Sequence, residues 1–97
     1  MKNFYFNQVQ LKGKLTSPEW SYTDNDGTMF FSSILQVKRS NGITDYIPIY
    51  FAEKVIKSIP KGAVFVKIVG IIKGEKTEGK ISLFVLANKV ELLSDIE

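Results

Sequence analysis

Side chains alternate between apolar and polar along most of this chain, and that period of two is the strongest constraint on its fold. In "VQLKGKL" (9–15), Val9, Leu11, Gly13 and Leu15 share one face while Gln10, Lys12 and Lys14 share the other. "TMFFSSILQVKR" (28–39) sets Phe31, Leu35 and Val37 on one side and Phe30, Ser32, Ile34, Gln36 and Lys38 on the opposite one. "TDYIPIYF" (44–51) reads as a third strand, with Pro48 at an edge or an irregular pairing because it has no N–H for a ladder. "AVFVKIVGIIKG" (63–74) and "ISLFVLANKVELL" (81–93) are long and rich in branched residues, which suits strands four and five.

One segment breaks the period. "AEKVIKSIPKG" (52–62) carries Val55, Ile56 and Ile59 at helical spacing, then Pro60 and Gly62 as stop signals, and reads as a short helix. Turn signals fall at 24–27, 40–44 and 73–80. Five strands with one helix between the third and fourth predict an all-β, five-stranded oligonucleotide/oligosaccharide-binding (OB) barrel. Gly13 and Gly70 fit its tight corners. The 97 residues suffice for one domain, taken as 1–97.

Composition narrows the chemistry. The sequence has no cysteine and no histidine. Thiolate zinc sites and a Cys nucleophile are thereby excluded, and the commonest general base is missing. The candidate acids for a nuclease site, Glu19, Asp24, Asp26 and Asp45, are few and lie in turns. Asp24-Asn25-Asp26-Gly27 starts like a calcium loop but lacks the other ligands and flanking helices of an EF-hand. No enzyme activity, metal or cofactor is therefore expected. The net charge of +3 is a mild bias toward polyanionic partners. The opening "MKNFYFNQVQLKGK" alternates and meets charge too early for a secretory signal, and no apolar run nears membrane-spanning length. A cytoplasmic location is the expectation.

Several stretches together resemble the bacterial and phage single-stranded DNA-binding proteins of the SSB type. "NQVQLKGKL" (7–15) is similar to that family's opening strand, and "PEWSYTDNDG" (18–27) to its Pro-Glu-x-x-Tyr-Thr corner and polar turn. "SSILQVKR" (32–39) resembles its second strand, "TDYIPIYF" its third, "IPKGAVFVKIVG" its fourth and "VLANKVELL" (85–93) its closing strand. The series runs in order from about Asn7 to Leu93. The chain departs from the family pattern in four places, one of them the segment from Phe51 to Lys61, which is shorter than usual. The 73–80 hairpin, "KGEKTEGK", has no aromatic ring, and Tyr46 and Phe51 stand one residue closer than the family's paired aromatics. "SDIE" replaces the family's acidic, Phe-ended tail, so the tail's recruiting role is not carried over.

The resemblance implies sequence-tolerant binding of single-stranded DNA, with RNA a second candidate polymer, in replication, recombination or mobile-element maintenance. Such a strand offers a phosphate at each step and a base with a π-face, so a binder needs cations and aromatic platforms. Tyr46 is the first candidate platform and Phe51 the second. Trp20 and Tyr22 are expected to pack the barrel end, with Trp20 also a candidate contact. The candidate cations are Lys12, Lys14, Lys38, Arg39, Lys54, Lys73 and Lys76, with Lys80 beside them. Phe30 and Ile34, on the outward face of strand two, are expected at a subunit interface. Phe4 and Phe6 add to the apolar surface outside the barrel, and the resemblance implies a dimer or tetramer. The other reading is a primosomal-type OB subunit that docks replication proteins and touches DNA weakly.

Overall fold

Alternating strands in this number can bury their apolar faces by closing on one another, and that is the architecture found. The computed structural model describes residues 4–59 and 65–93. Among them the order is β1 (Val9–Leu15), β2 (Glu19–Thr23), β3 (Met29–Lys38), β4 (Thr44–Ala52), α1 (Glu53–Ile56), β5 (Phe65–Thr77) and β6 (Lys80–Leu92). The sheet runs β1-β5-β6-β4-β3-β2, and an added β1–β3 pairing closes β1, β3, β4, β6 and β5 into a five-stranded barrel. Neighbours are antiparallel except β4 and β6, which run parallel over Ile49–Phe51 and Val85–Ala87. With α1 between β4 and β5, this is the expected OB arrangement. Pro48 stands just ahead of the short β4–β6 pairing, where its missing N–H removes no ladder bond on that side.

Closure is made at two glycines. β1 pairs with β5 over Val9–Lys14, and its last residues Lys14 and Leu15 also face Gln36 and Leu35 of β3. A Cβ at Gly13 would collide with the Gln36 carbonyl, and one at Gly70 with the Leu86 carbonyl. Only glycine lets the backbones approach this closely. Beyond β1, the Ser33 hydroxyl donates to the Thr16 carbonyl at 2.5 Å, and the Ile34 N–H donates to Thr16 Oγ1 at 3.0 Å. These bonds satisfy Ser33, the buried polar residue of the interior, and hold the chain bend against β3.

Every barrel strand sends residues inward: Leu15, Leu35, Ile49, Phe51, Val66, Ile68, Val85 and Ala87 form the core. Val55, Ile56 and Ile59 from α1 and the turn after it pack against that core. Phe51 corrects the expectation of a stacking platform, because its relative exposure is 0%. It shares parity with Ile47 and Ile49 on β4, and that parity points into the barrel.

Three local differences from the sequence reading have simple causes. The 18–27 corner contains a strand, β2, paired with β3 outside the closed barrel. The helix is a single turn, Glu53–Ile56, and its expected stop signals Pro60 and Gly62 lie outside the described residues. The 73–80 hairpin is mostly strand. Its ladder continues to Thr77 opposite Lys80, and the turn is Glu78–Gly79. Both residues take positive φ, 50° and 80°, as a type I′ turn requires.

Candidate nucleic-acid interface

Residues directly opposite one another in a ladder share a face, so the register of β1 through β4 defines a set of cross-strand rows on the outside of the barrel. Lys14 faces Gln36 and Gln36 faces Tyr46, a row of β1, β3 and β4. Ile34 faces Pro48 in the next outward row. Glu19 faces Ser32 and Ser32 faces Tyr50 in the row after it. Tyr22 faces Phe30, which in turn faces Ala52.

Tyr46 is 66% exposed at the first of these rows. Lys12, Lys14, Lys38 and Gln36 line one depression of about 500 Å³ beside it. Lys12 also stands opposite Lys67 on β5. Like charges directly opposite destabilise a ladder, and an anion brought to them relieves the repulsion. Lys67 carries part of that relief already, because its charge helps hold the Glu91 carboxyl below its ordinary value, after the larger effect of Lys89. On its other side Tyr46 borders an apolar depression of about 210 Å³ shared with Pro48, Ile72, Leu83 and Phe84. The long β5–β6 hairpin supplies that wall. Asn7 fastens it: its side chain donates to the Ile72 carbonyl at 2.6 Å and accepts from the Ile72 N–H at 2.9 Å.

The other end of the face is aromatic and acidic. Tyr22 stacks on Phe30 with centroids 5.0 Å apart and planes 13° apart. Tyr22 also meets Tyr50 at 6.2 Å, and Tyr50 meets Phe84 edge-on at 4.8 Å. Four rings from β2, β3, β4 and β6 thus form a continuous array. Burial first, and then the carboxylates of Asp24 and Glu75, push the Tyr22 hydroxyl above its ordinary pKa.

Not every expected residue joins this face in the expected way. Arg39 is already engaged: it makes a two-bonded ion pair with Asp45 across the β3–β4 hairpin. Trp20 is 60% exposed and does not pack the barrel end. A register irregularity between Trp20 and Tyr22 aligns Trp20 with Phe31 and Tyr22 with Phe30, so Trp20 lies on the face away from Tyr46. Lys54 sits on α1 beside the β2–β3 turn, beyond the end of β4 far from Tyr46. Lys76 shares its hairpin face with Ile72 and Leu83, while Lys73 is opposite Phe84. Phe30 and Ile34 lie on the same face as Tyr46, so a subunit contact there would compete with a strand. Tyr50, Phe84 and Lys67 went unnoticed in the sequence. For Tyr50 the signal was present, since it shares Tyr46's parity on β4.

Among the described residues no group of His, Cys, Asp and Glu could hold a metal ion, and no helix is long and apolar enough to cross a membrane. No protein-family model and no curated protein matches the chain. Solved structures do. The dimeric N-terminal domain of the PriB protein from Thermoanaerobacter tencongensis is 30% identical, with a TM-score of 0.76 over 92% of this chain and 98% of that one. Identity at that level over nearly the full length of both chains, on the same closed barrel, places this chain in the PriB family.

Proposed function

We propose that this chain binds single-stranded DNA with little dependence on sequence and performs no chemistry on it. The observation that carries the reading is the Lys14–Gln36–Tyr46 row, an exposed ring aligned across two strand steps with a cation and bordered by Lys12 and Lys38. A base stacks on Tyr46 while phosphates on either side meet the lysines. The apolar wall of Ile72 and Leu83 shields the far side of the ring, and Lys76 on that wall adds charge along the exit. Lys73 and Lys54 contribute long-range attraction from the periphery. Arg39 contributes less than its charge suggests, because Asp45 offsets it.

The chain works as a dimer in this reading, as the PriB domain it resembles is dimeric. Phe4 and Phe6, 85% and 87% exposed and close in sequence to the Asn7 anchor, provide apolar surface for pairing. The setting is DNA replication.

A titration with oligo-dT at two salt concentrations, read by tyrosine and tryptophan fluorescence with mass followed by light scattering, tests the proposal. Binding that weakens steeply with salt and a mass of twice the chain support it. Absent or salt-independent binding overturns it, and strand binding only at millimolar concentrations selects the protein-docking reading instead.

A further inference from the structure

Two depressions lie along the outer face of β1, β3 and β4, and their chemistry differs. The first is lined by three lysines, Lys12, Lys14 and Lys38. The second, of about 520 Å³, has no lysine or arginine in its lining; Ser17, Glu19, Ser32, Ile34, Pro48 and Tyr50 shape it. Its other hydroxyls, Thr16 and Ser33, are spent on each other and on the chain bend. The Ile34–Pro48 row, part of the second depression's lining, lies between the Gln36–Tyr46 row beside the first and the Ser32–Tyr50 row, two residues along each strand from either. A strand that stacks a base on Tyr46 therefore reaches the second depression with its next nucleotides, since Tyr46 and Tyr50 are about 13 Å apart along β4.

Glu19 is the unusual member. It is exposed, and no ion pair or side-chain hydrogen bond engages its carboxylate among the described residues. A bare carboxylate beside a polyanion repels phosphate, so it fits the path only if the strand turns a base edge toward it. We infer, on the reading that this face binds single-stranded DNA, that the Glu19–Ser32–Tyr50 row reads base edges and favours bases that present an amino group.

The physical basis is the donor and acceptor inventory. A carboxylate accepts and cannot donate, whereas a serine hydroxyl rotates to do either. Cytosine offers the N4 amino donor to such a carboxylate; thymine and uracil offer the O4 acceptor at the same place, and two facing acceptors repel. Ser32, directly opposite Glu19, adapts to the neighbouring ring atom in either case, so the discrimination comes from Glu19. Ile34 and Pro48 floor the depression, and Tyr50 is held edge-on by Phe84, which gives the base a rigid wall. The result is a modest preference laid over sequence-tolerant binding.

The test uses the full chain and two strands of equal length, oligo-dC and oligo-dU, so that no methyl group differs. The wild-type protein is expected to bind oligo-dC about fivefold more tightly. Glu19→Gln, whose amide both donates and accepts, should remove the preference by raising oligo-dU affinity and lowering that for oligo-dC. Equal wild-type affinities overturn the inference while leaving the strand-binding reading intact. A preference that survives in Glu19→Gln also overturns it and leaves the depression to another occupant, such as a basic side chain of a protein partner. Binding of neither strand overturns both readings together.

Discussion

Arg39 holds Asp45 through two parallel hydrogen bonds, Nε to Oδ2 at 2.9 Å and Nη2 to Oδ1 at 2.8 Å. The only arginine of the sequence is therefore committed to its own hairpin and is not free to clamp phosphate. Hydrogen bonding from Arg39 is the main cause that holds the Asp45 carboxyl below its ordinary value of 3.8, and the same bond raises the guanidinium. A depressed carboxyl contributes stability that is present above its ordinary value and lost as pH falls through the lowered one. The pair thus stays closed at neutral pH. Asp45→Asn removes a negative charge and frees the guanidinium, so oligo-dT affinity should rise about threefold at low salt, the scale of one exposed charge pair. Unchanged affinity in a fluorescence titration would mean that Arg39 lies off the strand's path.

Tyr46 and Phe51 sit on the same strand and should behave in opposite ways. Tyr46→Ala removes an exposed ring, so the melting temperature should hold while affinity drops by about 1–3 kcal/mol, the worth of one stacked base. Phe51→Ala opens a cavity in the core and should cost about 3–5 kcal/mol of stability by chemical denaturation. A Tyr46→Ala protein that binds oligo-dT as tightly as the wild type would remove the platform from the proposal.

Charge can be counted separately from stacking. For single strands the slope of log affinity against log salt is about −0.7 for each neutralised phosphate. Substituting Lys14 by alanine should therefore flatten the slope by about that amount, and Lys12 and Lys38 should each do the same. Lys54, beyond the far end of β4, should leave it nearly unchanged. An equal effect from all four would point to diffuse attraction in place of a defined track.

These contrasts also show how much of the site was written in the sequence. The five barrel strands were legible because one buried face imposes strict alternation, and that same alternation already set Phe51 with Ile47 and Ile49, opposite Tyr46. The resemblance to the family's paired aromatics pulled Phe51 outward instead, although its spacing from Tyr46 is one residue short of theirs. β2 was not legible. "EWSYT" carries an irregularity that turns Trp20 and Tyr22, two residues apart, to opposite faces, so its pattern reads as neither strand nor helix. The 73–80 segment looked like a loop because its charges and Gly74 lack a buried face. Its backbone nevertheless continues the β5–β6 ladder, whose hydrogen bonds do not depend on side-chain polarity. The ring array needed the three-dimensional register, since its members come from four strands.

The hairpin supplies the last prediction, because its geometry links turn chemistry to the binding face. A type I′ turn demands positive φ at both central residues, and this one places a glutamate at φ 50° before Gly79 at φ 80°. A side chain such as glutamate is strained in that region, whereas asparagine tolerates it. Glu78→Asn should therefore steady the hairpin, and Gly79→Ala should weaken it by about 1 kcal/mol or more. The consequence reaches Tyr46, since Ile72 and Leu83 of this hairpin wall the apolar side of its depression. Hydrogen exchange of the β5–β6 amides should slow in Glu78→Asn and quicken in Gly79→Ala, and oligo-dT affinity should follow the same order. Exchange that shifts without any change in affinity would show that Tyr46 holds its base without the hairpin wall.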